Sequence, residues 1–156
     1  MVDKAYAIRK VGEEMERTLE SILKSHSSAK KETIESEGRM QTRYDSTKTE
    51  MGYLTDGLAQ KVIDLKNSLD QVSRFNPEES YNIVSAGAIF TLSDKENTTS
   101  NTYFVVPYSR GMDIVASGEK ITVINPKAPI AKSSLGKKVG DPVILNDYER
   151  YITDIY

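Results

Sequence analysis

The sequence predicts an α+β protein in which two long paired helices precede a small antiparallel sheet with one short helix. The first observation is that apolar residues recur three and four positions apart on both sides of residues 35–52, which is the stripe of an amphipathic helix. The second is a change after residue 80 to short segments rich in β-branched and aromatic residues, separated by turn residues. Helices followed by a run of strands are typical of the α+β class.

The two helical runs mirror each other about a point near residue 40. An antiparallel hairpin would bring Ile8 against Val72 and Met15 against Leu65, so that both apolar stripes are buried in one seam. The pattern therefore predicts a coiled-coil hairpin that reverses direction near residues 38–40.

The first helix is predicted from an N-cap at Asp3 to about Lys31, and the second from about Arg43 to Val72. Helices of roughly thirty residues reach about 45 Å at ~1.5 Å rise per residue. We predict an arm over residues 1–75, with its tip near 36–42, and a second domain over residues 76–156. Charged residues gather near the tip; they are Glu35, Glu37, Arg39, Arg43 and Asp45.

The composition excludes several classes of site. The chain of 156 residues has no cysteine, which excludes disulfides and thiolate metal sites, and its net charge of −2 gives no global attraction to nucleic acid. His26 is the only histidine, so a typical histidine metal site or a nucleophile–histidine pair is not expected. No apolar run approaches the ~20 residues of a membrane span, and we expect a cytoplasmic protein.

Short strands are predicted throughout the second half of the chain. Pro129 is placed to open a short helix that Gly136 would end, because proline suits the first helical turn and glycine the position after the last. Asn146 and Asp147 predict a tight turn between two strands. The predicted strands cover residues 81–84, 88–92, 103–106, 120–124, 143–145 and 148–155.

The segment 125–141 reads NPKAPIAKSSLGKKVGD and resembles the C-terminal signature of the Gre transcript-cleavage factors. The match is long and has no gap, and the order of arm and sheet is also the order in that family, so the resemblance covers nearly the whole chain. It implies that the second domain is FKBP-like, with a fold similar to the FK506-binding prolyl isomerases. It also implies docking to bacterial RNA polymerase, for which the candidates are Pro129, Ile130, Lys137 and Lys138.

In the Gre family the coiled coil enters the secondary channel of the polymerase, and two carboxylates at its tip help to hold a second Mg²⁺ at the polymerase active centre. The latter part of the family's tip motif matches Arg43 to Lys48 and Gly52-Tyr53 without a gap, and counting back from Tyr44 places Glu37 at the first of those carboxylates. Met40 stands at the second position, where a thioether cannot serve as an ionised ligand. The resemblance thus implies Glu37 as the catalytic and metal-binding residue, with Glu35, Asp45, Arg39 and Arg43 as auxiliary tip residues.

Several functions follow as alternatives. One is a Gre-like elongation factor that stimulates RNA 3′-end cleavage by the polymerase, sharing Mg²⁺ with it and meeting the nascent RNA only within the complex. Another occupies the channel without cleaving, as a regulator or inhibitor, because Met40 replaces a carboxylate. Two other classes are a prolyl-isomerase-like peptide-binding protein and a structural coiled-coil adaptor. In the leading reading the protein is a monomer, is not itself an enzyme and has no membrane partner.

Overall fold

The computed structural model describes the backbone of residues 1–37 and 56–156 and the side chains of residues 1–26 and 57–156. Helices α1 (Lys4–Glu37) and α2 (Asp56–Arg74) come first, and the sheet and helix α3 (Pro129–Ser134) follow. The strands are β1 (Ile89–Ser93), β2 (Ser100–Val105), β3 (Met112–Ala116), β4 (Glu119–Ile124), β5 (Pro142–Leu145) and β6 (Tyr148–Ile155). The predicted α+β class, with a helical pair, a mostly antiparallel sheet and one short helix, is confirmed.

Helix α1 begins where the sequence predicts. The carboxylate of Asp3 accepts a hydrogen bond from the backbone N–H of Tyr6 at 2.9 Å, which satisfies a donor that the first turn would otherwise leave unpaired. The helix continues to Glu37, past the predicted end near Lys31, because no proline or capping glycine interrupts this polar stretch. The predicted reversal near residues 38–40 and the predicted start of the second helix at Arg43 lie outside the described residues.

The two helices pair along the predicted seam. A β-carbon built on Gly12 would lie 3.9 Å from Cγ1 of Val72, so the beginning of α1 lies against the end of α2, as antiparallel pairing requires. The buried side chains of the seam include Val11, Met15 and Leu65. Because these helices bury one stripe each, the pairing itself supplies most of their stability.

Replacing Gly12 with alanine should stabilise the protein by about 1 kcal/mol, because alanine loses less backbone freedom than glycine in a helix interior. The new methyl group would meet Val72 at 3.9 Å, an ordinary van der Waals contact that requires no rearrangement. Thermal unfolding should show a rise in Tm of about 2–4 °C for a chain of this size. An unchanged or lower Tm would mean that the two helices lie closer at Gly12 than the structure has them.

The strands form one six-stranded sheet in the order β3-β4-β2-β1-β6-β5. All neighbouring strands are antiparallel except β2 and β4, which run parallel with Phe104 beside Val123. A register shift between Thr91 and Leu92 marks a bulge where β1 meets β6. The turn between β5 and β6 has positive φ at both Asn146 and Asp147, as the predicted tight turn requires.

Two sequence predictions within the sheet are wrong. Residues 81–84 do not form a strand; instead Val84 hydrogen-bonds through its N–H to the carbonyl of Lys137 and through its carbonyl to the N–H of Gly136, both at 2.8 Å. Strand β3 was not predicted, although the following turn has positive φ at Ser117 and Gly118, which is the geometry of a two-residue hairpin. In both segments the observed structure follows from contacts with distant parts of the chain rather than from the local β-propensity of the residues.

The sheet buries side chains on both faces. On one face, Ile89 and Phe104 lie in a cluster with the apolar residues of α1 and α2. On the other, Phe90 and Leu92 lie in a second cluster with Ala131 of α3. Since alternate residues of a strand point to opposite faces, β1 contributes to both cores and reads as a nearly continuous apolar run.

The helical pair joins the sheet through a compact junction. Phe75, directly after α2, packs on Phe104 of β2 with ring centroids 5.9 Å apart. Nearby, the buried ammonium of Lys4 donates a hydrogen bond to the carbonyl oxygen of Glu79 at 2.7 Å and lies 4.1 Å from the ring centroid of Tyr81. Helices and sheet therefore share one core at this end, and the division of the chain near residues 75–76 stays a prediction.

The hydroxyl of Tyr81 should titrate with a pKa of about 12, raised by burial and by its hydrogen bond to the carboxylate of Glu79. Its folded pKa lies above the value of about 10 in an unfolded chain. The contribution of this group to stability is therefore intact below pH of about 10 and is lost as the pH rises towards the folded pKa. NMR titration with ring-labelled tyrosine measures the shift.

In the same titration, Glu79→Gln should lower the pKa of Tyr81, because an amide oxygen can accept the hydrogen bond but lacks the negative charge of the carboxylate. Glu78→Gln is the matched control, because Glu78 is exposed beside Glu79 and does not contribute to this shift. Equal pKa values for Tyr81 in both variants would contradict the hydrogen bond between Tyr81 and Glu79.

Candidate functional site

The predicted tip residues lie at the far end of α1 or beyond it. Glu37 is the last residue of α1, and Ile22 is the most distant residue of this helix that packs against the core among the described side chains. Glu37 is therefore about 22 Å farther along the helix axis at ~1.5 Å per residue. The side chains of Glu35 and Glu37 lie outside the described residues, as do Arg39, Met40, Arg43 and Asp45.

The predicted docking residues sit on and directly after helix α3. Ala128 has an extended backbone before the helix, and Pro129 occupies the first turn, where the missing N–H costs no hydrogen bond. The N–H of Leu135 bonds to the carbonyl of Ala131 at 2.8 Å, and Gly136 follows with φ +79°. The predicted opening by Pro129 and closing by Gly136 are confirmed.

The four docking candidates differ in what they present to solvent. Pro129 is exposed, whereas Ile130 is half-buried against the cluster beneath α3. The ammonium of Lys137 donates a hydrogen bond to the carbonyl oxygen of Pro142, so this side chain closes the loop between α3 and β5. Lys138 is exposed; its backbone N–H donates a hydrogen bond to the carboxylate of Asp141 at 2.8 Å, and its carbonyl oxygen accepts one from the N–H of Asp141 at 3.0 Å.

Sequence reasoning missed three exposed apolar side chains around this helix. Leu135 and Val139 flank the lysine pair and are 37% and 56% exposed, and Ile83 is 41% exposed. Ile83 is brought here by the two hydrogen bonds of the adjacent Val84 to the turn after α3. Because the sequence indicated a strand at residues 81–84, it gave no signal for this contact. We call Pro129, Ile83, Leu135, Lys138 and Val139 the α3 surface.

The surroundings of the α3 surface are cationic. Lys127 and Lys132 are exposed beside Lys138, and the ion pairs found in the described part of the chain include none of these three lysines. Exposed apolar residues bordered by charged groups are typical of a protein-binding surface. The α3 surface therefore suits a partner that presents an apolar side chain surrounded by acidic residues.

The structure tests neither the metal ligands nor the catalytic residue proposed from the sequence. Among the residues that the structure describes, no group of three or more histidine, aspartate or glutamate side chains is placed to hold a metal ion. The expected Mg²⁺ ligand, Glu37, has its side chain outside those residues. Within the same part of the chain, no helix is both long enough and apolar enough to cross a membrane.

No protein-family model and no curated protein matches this chain. Among solved structures, the chain is similar to the crystal structure of GreA factor homolog 1 (Gfh1) of Thermus thermophilus, with 18% identity and a TM-score of 0.39 over 93% of this chain and 94% of that one. Gfh1 of Thermus aquaticus is similar with 20% identity and a TM-score of 0.38 over 92% of each chain. A third structure, of the transcription factor Gfh1, shares 16% identity with a TM-score of 0.39 over 93% of this chain and 92% of that one.

Proposed function

We propose that this protein is a Gre-like transcription factor that binds bacterial RNA polymerase through its secondary channel and modulates backtracked complexes. The observation that carries the proposal is the ungapped resemblance of segment 125–141 to the Gre signature. The helix within that segment and the exposed residues around it support a role in docking, because they present apolar and cationic groups together. The polymerase would perform any RNA cleavage, and this protein would act as its factor rather than as an enzyme.

The arm supplies the reach that such a role needs. Helix α1 is 34 residues long, which corresponds to about 50 Å at ~1.5 Å per residue. Its first turns are fixed in the core by residues such as Ala7 and Val11, and in the proposed complex its other end reaches into the channel. In the proposed complex, the α3 surface holds the rim of the channel while Glu37 enters it.

Two modes of action remain open within this proposal. In the first, the carboxylate of Glu37 would contribute a hard oxygen ligand of the kind Mg²⁺ prefers, helped by Glu35 or Asp45. Mg²⁺ bound there, together with the polymerase's own ion, would activate water and stabilise the charge that develops on the phosphate. In the second, Met40 leaves the ligand set incomplete, and the arm occupies the channel without promoting cleavage.

Binding to polymerase is the first test. Immobilised full-length protein should retain bacterial RNA polymerase at low salt, and raising the salt concentration should weaken the complex because exposed lysines contribute to it. Replacing Val139 with aspartate should weaken retention, since it places a carboxylate in the α3 surface. Val115→Asp is the matched control, because Val115 is 60% exposed on β3, at the edge of the sheet opposite β5. No retention at low salt would overturn the proposal.

Stalled elongation complexes distinguish the two modes. If the factor stimulates cleavage, Glu37→Gln should reduce the stimulated rate by at least the roughly 10- to 100-fold that loss of a metal's supporting residue costs. Glu16→Gln should leave the rate unchanged, because Glu16 is an exposed residue nearer the base of α1. A factor that binds but never accelerates cleavage indicates the second mode. Stimulated cleavage that survives Glu37→Gln would exclude Glu37 as the metal ligand.

A further inference from the structure

The face of the sheet that carries the helices is covered over only part of its area. On β1 and β2, Ile89 and its cross-strand neighbour Phe104 are buried under the helical pair. One step farther along the same face, the paired residues are Thr91 with Thr102 and then Ser93 with Ser100. The face therefore changes from apolar to hydroxyl-bearing along these two strands.

A cavity of about 660 Å³ opens at the hydroxyl-bearing part of the sheet. Cavities of roughly this size commonly receive small molecules or side chains of partners, at about 300–1,000 Å³. We call it the polar groove; the lining residues that matter here are Thr91, Ser93, Thr102, Glu119, Asp154 and Tyr156.

The hydroxyl groups of the groove are only partly paired within the protein. Those of Thr91 and Thr102 lie 3.0 Å apart and share one hydrogen bond, which leaves acceptor capacity on both oxygens. Ser93 is 4% exposed, lines the groove, and its side chain forms no hydrogen bond with any residue in the described part of the chain. The Ser93 oxygen is open to the groove rather than fully enclosed, so it can accept a hydrogen bond from a polar ligand.

The charges in the groove favour a cation. Glu119 and Asp154 line the groove together with Tyr156, and burial followed by the negative charges of these two carboxylates raises the pKa of the Tyr156 hydroxyl. Neither carboxylate belongs to an ion pair found among the described residues. Lys120 also lines the groove, but its ammonium is paired with Asp113 at 2.9 Å, outside the lining.

The chemistry of the lining selects among cations. The described residues offer no set of three metal ligands here, which disfavours a bare metal ion. A guanidinium is planar, carries five N–H donors and is more weakly hydrated than an ammonium, so it suits a site that combines carboxylates with hydroxyl oxygens. We propose that the polar groove binds an arginine side chain presented by a partner protein, with Glu119 and Asp154 pairing its charge and the Ser93 hydroxyl accepting a hydrogen bond.

Short peptides test this proposal on the full-length protein. An acetylated, amidated Gly-Arg-Gly peptide should shift the backbone amide NMR signals of Thr91, Ser93 and Thr102 in a saturable manner, and more weakly at high salt. The same peptide with citrulline, which keeps the shape but has no charge, should bind at least about 5-fold more weakly, as loss of an exposed ion pair predicts. Equal binding of the arginine and citrulline peptides would overturn the proposal, and so would shifts confined to residues outside the groove.

Variants identify the carboxylates, and a lysine peptide tests the preference for guanidinium. Glu119→Gln and Asp154→Asn should each raise the Kd of the arginine peptide by about 2- to 5-fold. Both residues are exposed, so the rest of the spectrum should be unchanged. Glu149→Gln is the matched control, because Glu149 lies on the same strand as Asp154 but outside the lining. Equal effects of all three variants, or tighter binding of a Gly-Lys-Gly peptide, would overturn the assignment. These outcomes do not depend on binding to polymerase.

Discussion

Replacing Phe104 with alanine is expected to lower the free energy of unfolding by about 3–5 kcal/mol, the usual cost of deleting a buried phenylalanine ring. The Phe104 side chain is fully buried on β2, an interior strand, in the cluster that also holds the apolar residues of both long helices. Its loss would leave a cavity between the sheet and the helical pair that neither layer can close without moving. Urea-induced unfolding, followed by circular dichroism, measures the change.

The matched control is Tyr148→Ala, which removes an aromatic ring that is 75% exposed on β6. Exposed substitutions of this kind usually change stability by no more than about 0.5 kcal/mol. Phe75→Ala, alone and combined with Phe104→Ala, measures the coupling of the two rings, which an aromatic pair is expected to show at about 0.5–1.5 kcal/mol. If Phe104→Ala lowers the free energy of unfolding by less than about 1 kcal/mol, the result would contradict a core shared by helices and sheet, because the loss of a buried ring usually costs far more.

Replacing Gly87 with alanine should be the most damaging glycine substitution among those at positive φ. Gly87 has φ +88°, which costs a residue with a β-carbon about 1–2 kcal/mol. The new β-carbon would also lie 2.7 Å from the hydroxyl oxygen of Tyr81 and 3.1 Å from the ring of Phe75, so the junction must shift. We expect a total loss of about 2–5 kcal/mol in the free energy of unfolding, since overpacking adds roughly 1–3 kcal/mol to that strain.

Gly118→Ala separates the two causes. Gly118 has φ +80°, and a β-carbon there would meet no atom within 4 Å, so its substitution reports backbone strain alone. The excess cost at Gly87 then measures the contact with Tyr81 and Phe75. Adding Tyr81→Phe to Gly87→Ala should recover part of that excess by removing the nearest oxygen. Equal losses in the free energy of unfolding for the two substitutions would show that Tyr81 and Phe75 move aside at no measurable cost.

The sequence predicted best the segments whose ends are marked by particular residues. Helix α3 was predicted because Pro129 suits a first turn and Gly136 adopts the left-handed conformation that ends a helix. The pairing of α1 and α2 was predicted because apolar spacing records which face each helix buries. Strand β3 was missed because its burial alternates but its polarity does not: Val115 is exposed although it is apolar.

The candidate sites were less predictable because they are assembled from distant parts of the chain. Pro129 and Lys138 could be identified within one continuous motif, but Ile83 joins them only through the hydrogen bonds of Val84 to the turn after α3. The polar groove depends on register: Thr91 lies beside Thr102 on one side and Asp154 on the other. No local pattern specifies such neighbours, because the strands that supply them are far apart in sequence.

The position of β6 in the sheet has a consequence for synthesis on the ribosome. Strand β1 pairs on one side with β2, its neighbour in the chain, and on the other with β6, which follows all the other strands. Until residues 148–155 leave the exit tunnel, β1 keeps an open edge that a second nascent chain could pair with. Closing the sheet is therefore a late, non-local event, and the nascent protein is most prone to aggregate just before its last strand emerges.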